Sequence, residues 1–346
     1  VYARSPLLLK RIYSLIPWTF RMGAEYRKTL TFLKKSIYWS QNQWMCYQTM
    51  HLRLLMKFCE QNIPYYQSIF ADLNIKTSKR AIWDEFYRLP LIDKSVVTAN
   101  IDHFRPKDST RSSSYDATTG GTTGKPMQTF YDSSSYAKEW AYKIFFWNLA
   151  IGYTPESRKA TFRGVSFGDK PYIEKPIYNE IRFSPFHLDT DEVGSIVNKL
   201  FKYQPLYIHG YPSAITQLAH HFRKHKLKLC GLCGAILISE NVYTNQRRLI
   251  KEVFDCPVYS FYGHSERLIF ASMGPELNMY YAHPAYGITE LIDGSDNPFK
   301  EYGTRGELVG TGFTNAAMPL LRFKTGDFSS WLKVNGKIDM PALGNI

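Results

Sequence analysis

The chain has 346 residues, 44% of them hydrophobic and 21% charged, with a net charge of +13. That is the balance of an ordinary globular protein, long enough for two or three lobes. No stretch of about 18 apolar residues occurs, which excludes a transmembrane helix, and no nucleic-acid-binding module motif accompanies the positive charge. The charge favours anionic small partners: nucleotides, CoA, anionic glycans or lipid headgroups.

Residues 1–70 read as mainly helical. Much of the basic excess lies in 4–57, including Arg4, Lys10, Arg11, Arg21, Arg27, Lys28, Lys34 and Lys35. One reading is a solvated helical surface; the other is peripheral docking to the cytoplasmic face of a membrane. The longest apolar run in 1–20 is three residues, too short for a signal-peptide core. Leu52, Leu55, Cys59 and Ile63 fall at helical spacing and read as a core stripe that Pro64 ends. Residues 80–104 carry two short helical patterns joined by Leu89-Pro90, and 106–114 are polar and Ser-rich.

Residues 118–126, Thr-Thr-Gly-Gly-Thr-Thr-Gly-Lys-Pro, pack three glycines, four hydroxyls and one lysine into nine residues. Such a run can wrap backbone N–H groups around a phosphate chain. It is not a Walker A loop, because position 119 is Thr where the first Gly should be and Pro126 stands where the Mg²⁺-binding hydroxyl should be. Tyr115-Asp116-Ala117 before it looks like a strand end. Asp132 is a good N-cap for a following helix. That helix places Tyr136, Trp140, Ile144 and Trp147 on one face, and Gly152 can end it.

From about 158 to 273 strands and helices alternate. They include a Leu206–His209 strand, a helix with Pro212 in its first turn, a Gly234–Ile238 strand, a helix over 241–254 and a Val258–Phe261 strand. This alternation argues for a parallel sheet with helices on its faces. From 278 onward short strands separated by turns dominate (Gly287–Ile292, Gly306–Gly310, Leu320–Lys324), which predicts a smaller, mostly antiparallel lobe. The five cysteines, Cys46, Cys59, Cys230, Cys233 and Cys256, are an odd number. They read as reduced thiols in a cytosol. Cys230-x2-Cys233 has the spacing of half a zinc site, but buried structural cysteine is the stronger reading there.

Three motifs in order carry a resemblance. Residues 118–126 resemble the phosphate loop of the adenylate-forming enzymes, and their Gly-Lys-Pro order is similar to the phenylacetate–CoA ligase branch. Ser260-Phe261-Tyr262-Gly263-His264-Ser265-Glu266 resembles that family's Tyr-Gly-x-Thr/Ser-Glu motif. Arg322-Phe323-Lys324-Thr325-Gly326-Asp327 resembles its Tyr-Arg-Thr-Gly-Asp motif. The shorter segments Ile63-Pro64-Tyr65-Tyr66, Phe186-His187-Leu188 and Gly210-Tyr211-Pro212-Ser213 look like the CapK-type proteins of capsule and surface polysaccharide synthesis.

The resemblance implies an α/β fold: the large N-terminal domain of such enzymes, with helix-flanked β-sheets and a small β-barrel-like lobe. It divides the chain into a mainly helical part (1–105), an α/β core with the phosphate loop (106–275), a small β lobe (276–327) and the start of a hinge (328–346). The family's mobile C-terminal domain would follow, and on this reading it is absent.

The resemblance also assigns roles. Thr118, Thr119, Gly120, Gly121, Thr122, Thr123, Gly124 and Lys125 would grip the phosphates of ATP, with Lys125 supplying positive charge as a catalytic residue. The Tyr262 ring would pack on adenine, with Gly263 also in the nucleotide site, Ser265 would lie beside the α-phosphate or acyl group, and Asp327 would accept both ribose hydroxyls. Glu266 would be the catalytic Mg²⁺-associated carboxylate. His209, Tyr211, Gly234, Ala235, His264 and Trp140 are the candidates for the acid pocket, with Phe145 and Trp147 behind them.

The implied reaction is ATP-dependent adenylation of a carboxylic acid and transfer of the acyl group to an amine or sugar acceptor in surface polysaccharide biosynthesis. The alternatives are an acyl–CoA ligase, which would add CoA to the cofactors ATP and Mg²⁺, and a non-catalytic nucleotide-binding homologue. The setting implied is cytoplasmic, at the membrane surface if the basic N-terminal region docks there.

Overall fold

The computed structural model describes residues 6–107, 115–118, 127–164, 167–189, 192–274, 279–333, 340–344 and 346. In chain order the helices are α1 (Leu7–Ser14), α2 (Trp18–Arg21), α3 (Gly23–Ser36), α4 (Gln41–Asn62), α5 (Pro64–Asp72), α6 (Ile82–Tyr87), α7 (Lys94–Ala99), α8 (Ser133–Ile151), α9 (Val193–Tyr203), α10 (Pro212–Lys224) and α11 (Thr244–Phe254). The strands are β1 (Tyr115–Thr118), β2 (Gln128–Tyr131), β3 (Lys159–Phe162), β4 (Tyr172–Lys175), β5 (Glu180–Phe183), β6 (Tyr207–Gly210), β7 (Gly234–Leu237), β8 (Val258–Gly263), β9 (Phe270–Met273), β10 (Tyr280–Ala282), β11 (Gly287–Ile292), β12 (Pro298–Phe299), β13 (Arg305–Gly312), β14 (Phe323–Leu332) and β15 (Ala342–Leu343). The chain forms two compact units, one of residues 1–30 and 141–261, the other of 31–140 and 262–346.

In the first unit β3, β5, β6, β7 and β8 run parallel, in the order β5-β3-β6-β7-β8, and β4 adds an antiparallel edge. β3, β6 and β7 are buried along their whole length, as strands covered on both faces must be. Ile196 and Leu200 of α9, Ile215, Leu218 and Phe222 of α10, and Ile250 and Phe254 of α11 share one core with Phe162, Phe183 and Ile208 of the sheet. Pro212 opens α10, where its missing N–H breaks no helical bond. This is the helix-covered parallel sheet expected from the alternation over 158–273.

The second unit holds an antiparallel sheet in the order β12-β11-β13-β14-β15-β10-β9 and the separate β1–β2 hairpin. Its helices are set by local signals. The Ser40 hydroxyl accepts the N–H of Gln43, and the Gln43 side chain returns to the Ser40 N–H, closing a capping box at the start of α4. Pro64 stands at the first position of α5. Asp93 caps α7 by accepting from the N–H groups of Ser95 and Val96 at 2.8 and 2.9 Å. Leu52, Cys59 and Ile63, read as a core stripe, are fully buried together with Phe86, Leu291, Leu308 and Leu343. The 328–346 stretch is not all connection: Phe328–Leu332 completes β14, and β15 pairs with both β10 and β14.

One buried histidine of this unit makes stability depend on pH. Burial pushes the His283 imidazole down to about 3. Its Nδ1 accepts the N–H of Ala285 at 3.2 Å, and its ring meets Trp44 edge-on with centroids 5.2 Å apart. The folded protein therefore binds fewer protons here than the unfolded chain, whose imidazole titrates near 6.5. The stability gained is complete above about pH 6.5 and is lost as the pH falls from there toward about 3. We expect this residue to lower the unfolding free energy by roughly 2 kcal/mol between about pH 6.5 and pH 5. Urea titrations at both pH values check it: His283→Gln should flatten the dependence, and an unchanged slope would refute the assignment.

Candidate functional site

β8 ends at Gly263, and the chain then turns sharply, the Arg267 N–H returning to the carbonyl of His264 at 3.1 Å. Ser265 and Glu266 are the central residues of this turn, and Arg267 leaves it with φ +57°. The turn folds Glu266 back beneath His264, so that His264 Nδ1 lies 3.0 Å from Glu266 Oε2. Burial acts to raise the Glu266 carboxyl, but the hydrogen bond and charge of His264, with a backbone N–H and the Lys94 charge, together outweigh it, and the net shift is downward. Glu266 is thereby held ionised at neutral pH. The far nitrogen of His264, Nε2, is buried and has no hydrogen-bond partner among the described residues.

Asp327 is brought to this turn by an irregularity in β14. Glu307 of β13 pairs with Phe328 and Val309 with Lys324. Leu308 alone therefore faces Thr325, Gly326 and Asp327, and the surplus residues bulge out of the ladder. Gly326 sits in the bulge at φ +78°, a conformation only glycine adopts without strain. Side chains take over the lost ladder bonds. The Thr325 hydroxyl donates to the Leu308 carbonyl at 2.9 Å and accepts the Asp327 N–H at 3.1 Å, while the Gly326 N–H donates to Glu307 Oε1 at 3.1 Å.

The bulge leaves Asp327 exposed, with the Tyr262 hydroxyl donating to its Oδ2 at 2.8 Å. Burial, then the Asp327 charge, pushes the Tyr262 hydroxyl well above its ordinary value of 10. It therefore stays protonated and keeps donating. The Tyr262 and His264 rings lie 5.7 Å apart. Tyr262, His264, Glu266 and Asp327 are thus gathered in one place.

The first unit holds the other candidates. His209 lies on β6 with its Nδ1 3.1 Å from the Thr161 hydroxyl and its ring 5.4 Å from that of Trp147. Burial, followed by the charges of Lys159, Arg163, Lys143 and Arg182, pushes it well below 6.5, so it is neutral. Tyr211 follows at the carboxyl edge of the parallel sheet, the edge where open α/β sheets take ligands. Its N–H donates to the Phe162 carbonyl at 3.0 Å, and it precedes Pro212 of α10. Gly210 between them could carry no side chain, since a Cβ there would lie 2.0 Å from the Phe162 carbonyl oxygen. Gly234 and Ala235 open β7 at the amino end of the strand, where Gly234 is packed against Ile151 and Tyr207.

Trp140 is half-buried on α8, in an edge contact with Tyr136. Trp147, further along α8, is fully buried against Tyr153 and His209 and serves as core. Asp132 caps α8 as expected, its carboxylate accepting the Ser135 N–H at 2.6 Å. Thr118 is the last residue of β1 and pairs with Gln128 at the start of β2. β1 and β2 thus stand on either side of the glycine-rich run in the sequence. Thr119, Gly120, Gly121, Thr122, Thr123, Gly124 and Lys125 lie outside the described residues.

Two further residues adjoin this cluster, Arg267 and Thr325. Arg267 is buried, its guanidinium carbon 3.6 Å from the centre of the Tyr131 ring, and its Nη1 has no hydrogen-bond partner among the described residues. A basic residue directly after the motif's glutamate was the available signal. Thr325 was passed over although it lies inside a quoted motif.

Among the described residues no group of three or more His, Cys, Asp or Glu could hold a metal ion. Cys230 and Cys233 are exposed free thiols, and Cys256 is a buried one. Magnesium needs less, because it keeps waters and takes one or two carboxylates besides phosphate oxygens. The ionised carboxylate of Glu266 fits that requirement.

No family model matches the chain. In sequence it is 24% identical to Protein CapK of Staphylococcus aureus, an alignment covering 94% of this chain and 72% of that protein. Among solved structures it is similar to 2-hydroxyisobutyryl-CoA ligase in complex with 2-HIB-AMP and CoA in the thioesterification state. That match has a TM-score of 0.70 at 18% identity and covers 90% of this chain and 69% of the ligase. An open conformation of the same ligase, also with 2-HIB-AMP and CoA, matches with a TM-score of 0.65 at 18% identity, over 86% of this chain and 72% of the ligase. The chain carries the fold of the adenylate-forming ligases and is similar in sequence to Protein CapK.

Proposed function

We propose that this chain activates a carboxylic acid with ATP and passes the acyl group to an acceptor. The observation that carries the reading is the gathering of Tyr262, His264, Glu266 and Asp327 at one turn and one bulge, on an adenylate-forming ligase fold. In the first step a carboxylate oxygen of the acid attacks the α-phosphorus, the bond to the bridging oxygen breaks, and pyrophosphate leaves with its electron pair. In the second step the acceptor attacks the acyl carbon, the bond to the phosphate oxygen breaks, and AMP leaves while the acceptor gives up a proton.

The chain's residues divide the work. Asp327 accepts the ribose hydroxyls and Tyr262 orients it while its ring packs on the adenine. The 118–126 run holds the phosphates, with Lys125 as its charge. Glu266 would hold a magnesium ion, which supplies charge neutralisation on the phosphates when bound. His264 keeps the Glu266 carboxylate aligned, and His209, Tyr211 and Trp140 are proposed to border the acid. ATP as substrate implies a cytoplasmic setting. No helix among the described residues is long and apolar enough to cross a membrane.

The acceptor we favour is an amine or a sugar of surface polysaccharide biosynthesis, the reading attached to the CapK-type segments. CoA is the second reading, favoured by the likeness to a solved CoA ligase. A pyrophosphate-release screen over carboxylic acids, with amines, amino sugars and CoA compared, tests both. Release that depends on one acid and on an amine supports the first reading; dependence on CoA supports the second. Absence of both pyrophosphate release and nucleotide binding would overturn the function.

Asp327→Ala should weaken AMP binding by about 1.5–3 kcal/mol, the range for hydrogen bonds to a charged group. Tyr262→Phe keeps the ring and loses only the 2.8 Å hydrogen bond, so it should weaken binding by no more than about 1 kcal/mol. Calorimetry with AMP measures both, and unchanged affinity in Asp327→Ala would sink the ribose role.

A further inference from the structure

The N-terminal helix presents its apolar side to solvent. A helix on a protein surface ordinarily buries its apolar stripe and exposes its charges. In α1 and the helical turn after it the order is reversed. Leu8, Leu9, Ile12, Leu15 and Ile16 are 70%, 55%, 55%, 80% and 44% exposed. At about 100° per residue these positions lie within roughly 120° of one another, so they form a single stripe. Phe20, 69% exposed, extends the apolar surface into α2.

The segment is nonetheless held in place on its other side. Trp18 is buried, its ring 5.8 Å from that of Tyr178. The Arg21 guanidinium donates to the Ile177 carbonyl at 2.6 Å, and Arg11 meets Glu174 at 3.1 Å. The stripe is therefore a fixed surface of the first unit. Its border is basic: Arg11 flanks it on α1, and Arg27 lies over Phe20. Lys175, on the strand beneath, has its ammonium pushed down by burial and by the charges of Arg182 and Lys10, a mark of local positive potential.

We propose that this face docks on a membrane surface carrying anionic lipid. An apolar stripe rimmed by lysine and arginine is the pattern of a helix lying in the headgroup layer, its apolar residues in the acyl boundary and its charges among the phosphates. A second copy of the chain is the other candidate. A two-fold contact would set the basic rim against itself, like charge facing like charge, in a protein already at +13.

The test is flotation of the full chain with vesicles of phosphatidylcholine alone and of phosphatidylcholine with about 30% phosphatidylserine. Binding should be strong to the mixed vesicles, weak to the neutral ones, and reduced by high salt. The triple variant Leu8→Glu, Ile12→Glu, Leu15→Glu should lower partitioning at least tenfold. Arg11→Gln with Arg27→Gln should lower it on the anionic vesicles only. Leu149→Glu, at an exposed position on α8, is the control and should bind as the parent does. All the altered positions are surface ones, and equal melting curves would confirm that the fold is kept. Failure of the parent chain to bind mixed vesicles overturns the proposal, as does binding that survives the triple substitution. A dimer in light scattering that the triple variant dissolves, without vesicle binding, assigns the face to a second copy and also overturns it.

Discussion

Glu290→Ala should destabilise the second unit by about 3–5 kcal/mol, the cost of leaving one member of a buried ion pair alone. Arg322 and Glu290 are almost fully buried, with Nη2 3.1 Å from Oε2 and Nε 3.3 Å from Oε1. The same guanidinium donates through Nη1 to the carbonyls of Tyr87 and Leu89 at 3.1 and 2.8 Å. One side chain thus ties β11 to the loop after α6. The backbone of Arg322 sits at φ +54°, an unfavourable value for a side-chain-bearing residue. It is held there by its N–H, which donates to the Thr311 hydroxyl at 2.8 Å, and by its carbonyl, which accepts from Ile92 at 3.1 Å.

Glu290→Gln keeps the shape and one acceptor but not the charge, so it should fall between parent and alanine variant. Arg322→Lys should also be costly, because an ammonium cannot reproduce the planar fork. Urea unfolding, followed by a probe of the second unit, gives the three values. A loss under about 1 kcal/mol in Glu290→Ala would mean the pair contributes nothing beyond a surface bridge. The pair lies at the root of β14, five residues ahead of Asp327, so nucleotide affinity should fall with stability in the same variants.

Glu266→Gln should lower the rate of adenylate formation by at least about a hundredfold while changing ATP affinity little. The amide is nearly isosteric and still accepts from His264, so the turn should survive. What it lacks is the negative charge that the proposed magnesium ion would need. Because His264 keeps the Glu266 carboxyl below its ordinary range, the ionised form is present throughout the neutral region. Its contribution is complete above the ordinary carboxylate value, near 4.3, and is lost only as the pH falls through the lower folded value. The acid limb of the rate profile should therefore not be set by Glu266 in the parent. His264→Ala removes the stabilising partner and should move that limb upward. ATP–pyrophosphate exchange measures the rate and calorimetry the affinity. Exchange by Glu266→Gln at the parent rate would remove the carboxylate from the mechanism.

Much of the architecture was legible because it is locally encoded. Asp132 caps α8 and α8 ends just before Gly152, which takes φ +71°. Pro64 and Pro212 each begin a helix, and β11 runs over Gly287–Ile292 as expected. Turn, cap and proline signals act within a few residues, and a sequence displays them directly. The contact of His264 with Glu266 is local in the same way, since both lie in one four-residue turn.

The less legible parts depend on partners far along the chain. β2 was not foreseen, because Gln128–Tyr131 is a strand only through its pairing with Tyr115–Thr118. β14 was expected to stop at Lys324 but runs to Leu332, since the Thr-Gly-Asp bulge that interrupts its pattern is carried by Leu308 and Glu307 of a neighbouring strand. Lys159 looks like a surface residue, yet it is buried beside Tyr153, its charge offset by Glu180. Arg322 stood inside a quoted motif, but nothing near it announced Glu290.

The sequence by itself determined the chemistry on offer: a phosphate-loop composition, a carboxylate after a tyrosine–glycine turn, and an aspartate after a glycine. The tertiary structure alone decided which charges are buried and paired and which way the apolar stripe of α1 faces. Local propensity acts through a residue's immediate neighbours, whereas burial and charge pairing are set by groups that only the folded chain brings within a few ångströms.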